Sequence, residues 1–362
     1  MTSKSPDRRP NDPVHGDAEL GRRTTSILGT VVYEYIATGE PVGSAMLTQK
    51  YNLGISAATV RHEMASLEEE GYLDQPHTSA GRVPSDRGYR YYVDRLMPPE
   101  PLGADERELI RTEVRRASRQ LDTAVAHASH VLSNLTRTIA FAIAPRLNNQ
   151  SFRHLQLISV APNAVHMVLV TNLGLAGQAT VEIAEEVDQE RLSRASGVFN
   201  ERFSGKGVSE ISARDLAAAA ETGPLPPALL RAIAGLLAAH DEADVEHRLF
   251  AEGAQNLLDQ QEFRDLRRLR AVLDLLEEQR TLYEMLQRSV LGDGARVSIG
   301  KELGAGDLNE CSVVTMPYKI GERNAGAVGV LGPRRMHYAR LLALVDCMAQ
   351  SLNAMFQGEQ SA

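Results

Sequence analysis

The 362-residue chain has no tryptophan and only two cysteines, Cys311 and Cys347. Two thiols cannot build a disulfide framework, and no CxxC pair or Cys/His cluster points to structural zinc. A reducing, cytoplasmic setting is the expectation. No apolar run approaches the ~18 residues of a membrane-spanning helix. The opening MTSKSPDRRPNDPVHGDAELG lacks the apolar core of a signal peptide and reads as a flexible tail, residues 1–20. No P-loop, GxSxG or paired-carboxylate pattern occurs, so no enzyme chemistry is indicated.

What is present is an ordinary globular composition, 43% apolar and 24% charged. The length suggests two or three domains. The net charge of −8 counts, in bulk, against nucleic acid as a partner. Its distribution is more informative. Residues 20–100 carry eight basic and ten acidic side chains, and most of the surplus acid lies beyond them.

Residues 22–38 repeat apolar side chains at helical spacing, and Gly39-Glu40-Pro41 stops them. A short helix starts at Ser44. Ser56 caps a third helix, AATVRHEMASLEEE, which Gly71 ends. The stretch 72–84, with two prolines and a glycine, reads as a hairpin or loop. Ser85-Asp86 caps a fourth helix, RGYRYYVDRL. This order is that of a winged helix-turn-helix, residues 21–97. Pro98-Pro99-Glu100-Pro101 reads as a stiff linker, 98–104.

Beyond it, a near-heptad from Ile110 to Ile139 predicts one long helix. Strands are expected over 154–161, 164–171 and 178–183, then helices near 188–203, 211–220 and 226–240. A helical stretch spans 245–290, and strands and a last helix close the chain. Residues 105–362 therefore read as α+β, with a helical insertion dividing the strands of one sheet.

On a helical wheel, Val60, Met64 and Leu67 face inward. Ala58, Thr59, His62, Ala65 and Ser66 face outward, with Arg61 at the edge. Small polar residues at the start of the helix suit a recognition helix, whose first turns reach base edges. Ser56 could both cap the helix and help its free N–H groups hold a phosphate. Ser44 begins the preceding helix. The hairpin tip offers His77, Thr78, Ser79 and Arg82, and the fourth helix adds Arg87 and Arg90. The acidic balance leaves open a winged helix that docks on protein.

The run from Thr38 to Leu96, with GEPVGS (39–44), ISAATVRHEMA (55–65) and LEEEGYLDQPHTSAGRVPSDRGYRYYVD (67–94), closely resembles the HrcA family of heat-inducible transcription repressors. LQLISV, NLLDQQEF, VSIGKEL, CSVVTMPY and GAVGVLGPRRMHY resemble its later motifs, so the likeness spans about residues 22–357. The resemblance implies a winged-helix DNA-binding domain and a GAF-like domain carrying an inserted dimerisation subdomain, within roughly 150–250. It implies a homodimer on an inverted-repeat operator, the CIRCE element, upstream of chaperonin operons. It also implies the chaperonin as a modulator. His62 stands where the family commonly has asparagine.

Other candidates are weaker. GAF-like domains often bind small molecules, so a winged-helix regulator governed by a small ligand is the alternative. Asp307, Glu310 and Cys311 could line a pocket, but surface acids and a strand cysteine are the plainer reading. His127 and His130 could ligate a metal, yet no second ligand pair accompanies them. Arg334 and Arg335 could hold an anion or pair with acids. No cofactor or metal is expected.

Overall fold

The computed structural model describes residues 20–358 apart from 78–79, 118–120, 146–149, 173, 223–224, 239–247, 305 and 322. The side chains of 122, 174–176, 285, 307, 323 and 358 are also outside the description. The architecture is α+β.

The chain opens with three helices, α1 (Arg22–Thr38), α2 (Ser44–Lys50) and α3 (Ala57–Glu69). Each boundary has a local cause. Gly39 leaves α1 in the left-handed conformation at φ 74°, where its N–H reaches the Tyr35 carbonyl. Ser56 accepts the Thr59 N–H at 3.1 Å and so caps α3. A two-stranded antiparallel hairpin follows, β1 (Leu73–Asp74) and β2 (Val83–Pro84). Helix α4 (Asp86–Tyr91) is capped by Ser85, which accepts the Gly88 N–H. It runs on into a five-residue π-turn, Tyr92–Leu96.

Glu34 ties this unit together. It is buried on α1, and Lys50 donates to both of its oxygens at 2.8 and 2.7 Å. The Tyr51 hydroxyl donates at 2.6 Å. These bonds, that of Lys50 foremost, hold the carboxyl below its ordinary range. The carboxylate's contribution is therefore complete above the unfolded value of about 4.3. It is lost as pH falls through the folded pKa. Glu34→Gln is expected to cost about 1–2 kcal/mol near neutrality, because half-exposed Lys50 can be rehydrated. Thermal melts in acid should show the gap to the parent closing.

The expected long helix is two helices, α5 (Ala104–Arg116) and α6 (Leu121–Thr136), broken where Ala117 turns extended at ψ 147°. His127 lies 3.3 Å from Glu113. On one straight helix these residues would stand about 21 Å apart, so the chain doubles back. The apolar spacing survives because both helices use one face, with Ile110, Val114, Val125 and Leu132 buried in the same cluster.

A five-stranded antiparallel sheet has the order β7-β3-β10-β9-β8. Its members are β3 (Ile139–Ile143), β7 (Leu249–Glu252), β8 (Arg296–Ile299), β9 (Cys311–Ile320) and β10 (Arg323–Pro333). Strand β3 begins at Ile139, the last position of the expected long helix, and the sequence showed no strand there. It is buried on both faces and so shows no alternation. Ala140 and Ala142 pack into one cluster, Ile139, Phe141 and Ile143 into another. Strand β7 occupies a stretch expected to be helical. After it the chain forms short 3₁₀ turns and then α10 (Leu266–Glu277) and α11 (Gln279–Val290). These two cover one face of the sheet. Helix α6 and the closing α12 (Tyr338–Gly358) cover the other, and α5 packs on these two helices.

Between β3 and β7 the chain builds a second sheet, in the order β4-β5-β6, from β4 (Phe152–Ala161), β5 (Ala164–Thr171) and β6 (Gly174–Glu182). Helices α7 (Gln189–Phe203), α8 (Ala213–Thr222) and α9 (Pro227–Ala238) complete a core of its own. The strands at 152–182 thus do not join the main sheet, as the single-sheet reading had it.

Residues 97–103 lead from the N-terminal unit to α5 without dividing the interior. The buried side chains of 27–92 form one continuous cluster with those of α5, α6 and α12. Tyr89 meets Tyr338 edge-on, with ring centroids 6.1 Å apart.

Candidate nucleic-acid interface

Helix α3 buries Val60, Met64 and Leu67, as its periodicity requires. The opposite face is open. Arg61 and His62 are exposed, as are Ser56 and Ala58. Thr59 is half-buried, and its hydroxyl lies 2.9 Å from that of Ser56. One acid in these turns, Glu63, is turned inward. It accepts from the Thr24 hydroxyl at 2.8 Å and lies 3.8 Å from Arg23. The first two turns of α3 therefore present a cationic, hydroxyl-bearing face. The acids Glu69 and Glu70 sit exposed at the far end.

The other residues singled out are placed less uniformly. Ser44 is buried at the start of α2. His77 is exposed in the hairpin turn. Thr78 and Ser79 lie outside the described residues. Arg82 makes an ion pair with Glu68 at 2.7 Å, and its main chain bridges to Val42. It ties the hairpin to α3 and to the segment before α2, a structural role the sequence did not suggest. Arg87 is exposed, donates to the Glu70 carbonyl at 2.7 Å and lies over the Tyr72 ring at 4.4 Å. It closes the C-terminal end of α3, where a cation is favoured.

Arg90 points away from α3. It pairs with Glu302, donates to the Val297 carbonyl at 2.6 Å, and bonds Asp94 at 3.2 Å. Its guanidinium is committed to partners in the body and on its own helix. Arg334 and Arg335 likewise pair with acids. Arg334 donates to Asp86 at 2.6 Å and to Glu310 at 2.7 Å. Burial alone would lower its pKa, but these two partners outweigh it and keep the charge fixed. Arg335 donates to Glu262 at 2.6 Å and to the Ile36 carbonyl at 2.9 Å. Asp86, Glu262 and Glu302 were missed as partners because each pair joins residues far apart in the chain.

Of the remaining candidates, the Asp307 side chain lies outside the described residues. Cys311 is buried, and burial, helped by Glu310, pushes its thiol up to about 12. It is a packed thiol and not a nucleophile. His127 pairs with Glu113, and His130 lies 3.0 Å from Asn134. Among the described residues no group of three or more His, Cys, Asp or Glu side chains could hold a metal. No helix among them is long and apolar enough to cross a membrane.

The family model described as the HrcA protein C-terminal domain matches residues 122–342. The heat-inducible transcription repressor HrcA of Symbiobacterium thermophilum is 38% identical over 333 residues, covering 92% of this chain and 98% of that protein. The repressor of the same name from Geobacter sulfurreducens is 35% identical, over 94% of this chain and 99% of its own. A crystal structure described as a hypothetical protein aligns with TM-score 0.60 at 24% identity, over 94% of this chain and 100% of that one. That likeness shows the fold alone. The relatives place the chain among transcription repressors and not among enzymes. It belongs to the HrcA family of heat-inducible transcription repressors.

Proposed function

We propose that this chain is a sequence-specific DNA-binding repressor of chaperonin operons, acting in the cytoplasm as a homodimer on an inverted repeat of the CIRCE kind. Residues 21–97 act as a winged helix-turn-helix, and the body is GAF-like, with the β4–α9 segment as its inserted dimerisation subdomain. The observation that carries the reading is the open face of α3, where Arg61 and His62 project and Glu63 is turned away. Such a face suits the major groove, where the first turns of a recognition helix meet base edges. Ser56 and Thr59 add hydroxyls beside the free N–H groups of the helix start, which favour phosphate. His77 adds an exposed imidazole from the hairpin, and Arg87 an exposed cation at the far end of α3. Thr78 and Ser79 belong to the same proposed contact by sequence. Ser44 and Arg82 support it from within, through the segment before α2 and the hairpin.

The outer side of β4 leaves Ile158 and Val160 exposed, at 38% and 56%. A second copy would cover such a strip, and two-fold pairing demands an inverted repeat. The chaperonin enters as a modulator through the family resemblance.

Arg61→Ala tests the placement of α3. A single bidentate base contact is worth about 1–3 kcal/mol of discrimination, so the variant should lose up to that much specific affinity. Its affinity for random DNA should fall far less. Titrations of operator and random duplexes at one salt concentration measure both. Equal binding by parent and variant would remove α3 from the groove.

A further inference from the structure

We infer that the contact of α4 with the turns at 299–302 and 334–335 is a positioning device, which sets the spacing at which two copies of α3 meet an inverted repeat. The inference rests on the DNA-binding reading above and goes beyond it, because it assigns a specificity role to residues remote from the groove.

The contact is held at several independent points. Asp86 accepts from Arg334 at 2.6 Å and from the Lys301 N–H at 3.2 Å. Arg90 pairs with Glu302 and donates to the Val297 carbonyl. Arg335 reaches the last turn of α1 at the Ile36 carbonyl. The fit is also steric. Gly300 has φ 54°, and a Cβ there would collide with the Asp86 carboxylate. The side chains of Asp86 and Arg90 on α4 and the Ile36 carbonyl on α1 are thus gripped from two separate turns of the body.

The grip is passed on to α3 by short bonds. The Ser85 hydroxyl donates to the Gly71 carbonyl at 2.6 Å, and Arg87 donates to the Glu70 carbonyl at 2.7 Å. Both acceptors lie at the C-terminal end of α3. A rigid path therefore runs from the body, through α4, to the reading helix.

Two reading helices held at fixed geometry give the second half-site a high effective concentration at one spacing and a low one at others. Loosening the grip spreads the same copies over many geometries. Affinity for the fitted repeat then falls and selectivity for spacing weakens, with each half-site contact intact.

The experiment starts from DNA that the full-length parent selects from a random pool. Selection of no repeat would defeat the DNA-binding reading itself, and the positioning role with it. The selected repeat is compared with versions one or two base pairs longer or shorter and with a single half-site. The parent should prefer the fitted spacing by about tenfold or more, and Arg90→Gln/Arg334→Gln should reduce that preference to about threefold or less. Half-site affinity should stay within about twofold of the parent. Arg334→Lys should recover part of the preference. If the double variant melts at room temperature, Arg90→Gln is read alone, since its side chain is partly exposed and leaves no hole. An unchanged spacing preference in a folded variant overturns the inference. So does a parallel loss on the half-site, which would mean that these arginines touch DNA directly.

Discussion

Gly88→Ala is expected to destabilise the N-terminal helical unit by about 3 kcal/mol, at the upper end of overpacking costs. A Cβ at this position would fall inside contact distance of the Tyr72 carbonyl oxygen. That oxygen cannot swing aside, because it accepts the Ser85 N–H at 3.1 Å. Helix α4 would have to lift from β1, carrying Asp86 and Arg90 with it. A drop in the first unfolding midpoint, with loss of DNA affinity at temperatures the parent tolerates, is the expected readout. Gly197 provides the contrast. It sits exposed in mid-helix α7, and a Cβ there would meet nothing within 4 Å. Gly197→Ala should therefore stabilise, by up to about 1 kcal/mol. An equal response at both positions would show that close approach is not what keeps glycine at 88.

Phe141→Ala is expected to cost about 3–5 kcal/mol, the usual range for truncating a buried phenylalanine. Phe141 lies in β3 directly opposite Gly329 of β10. Its ring covers that glycine so closely that a Cβ on Gly329 would fall 2.5 Å from it. Truncation would open a cavity between β3, β10 and the α10–α11 layer, and the neighbouring glycine has no side chain to fill it. Denaturant titration should show a lower midpoint with little change in slope. A loss under about 1 kcal/mol would mean that the site collapses more freely than an ordinary packed core.

The parts of this fold that were legible in the sequence are those with local causes. Ser56 and Ser85 cap the helices they precede, and Gly39 ends α1, because each satisfies or releases main-chain groups within a few residues. The exposed face of α3 followed from its period alone. Strands β5 and β9 showed in their runs of β-branched residues. Strand β3 did not, because burial on both sides erases alternation. The break at Ala117 was hidden since two helices packed on one core preserve the spacing of a single one. The site was legible only in part for a similar reason. A wheel places Arg61, and the i,i+4 spacing allows Arg90 its bond to Asp94, but nothing local shows that Arg90 also reaches Glu302. Arg82 was legible as a cation and not as the partner of Glu68, which neutralises it from the neighbouring helix.

The joined interior bears on how such a chain can be recombined. The proline-rich stretch at 98–101 invites splicing, as though the N-terminal unit were a cartridge to be exchanged between relatives. The contacts across it argue otherwise. Asp86 needs Arg334, the Lys301 N–H and the bare Cα of Gly300, and Tyr89 needs the Tyr338 ring. A hybrid cut at the prolines would set one parent's α4 against the other's turns. Only hybrids that carry both sides of that surface together would keep the parental fit.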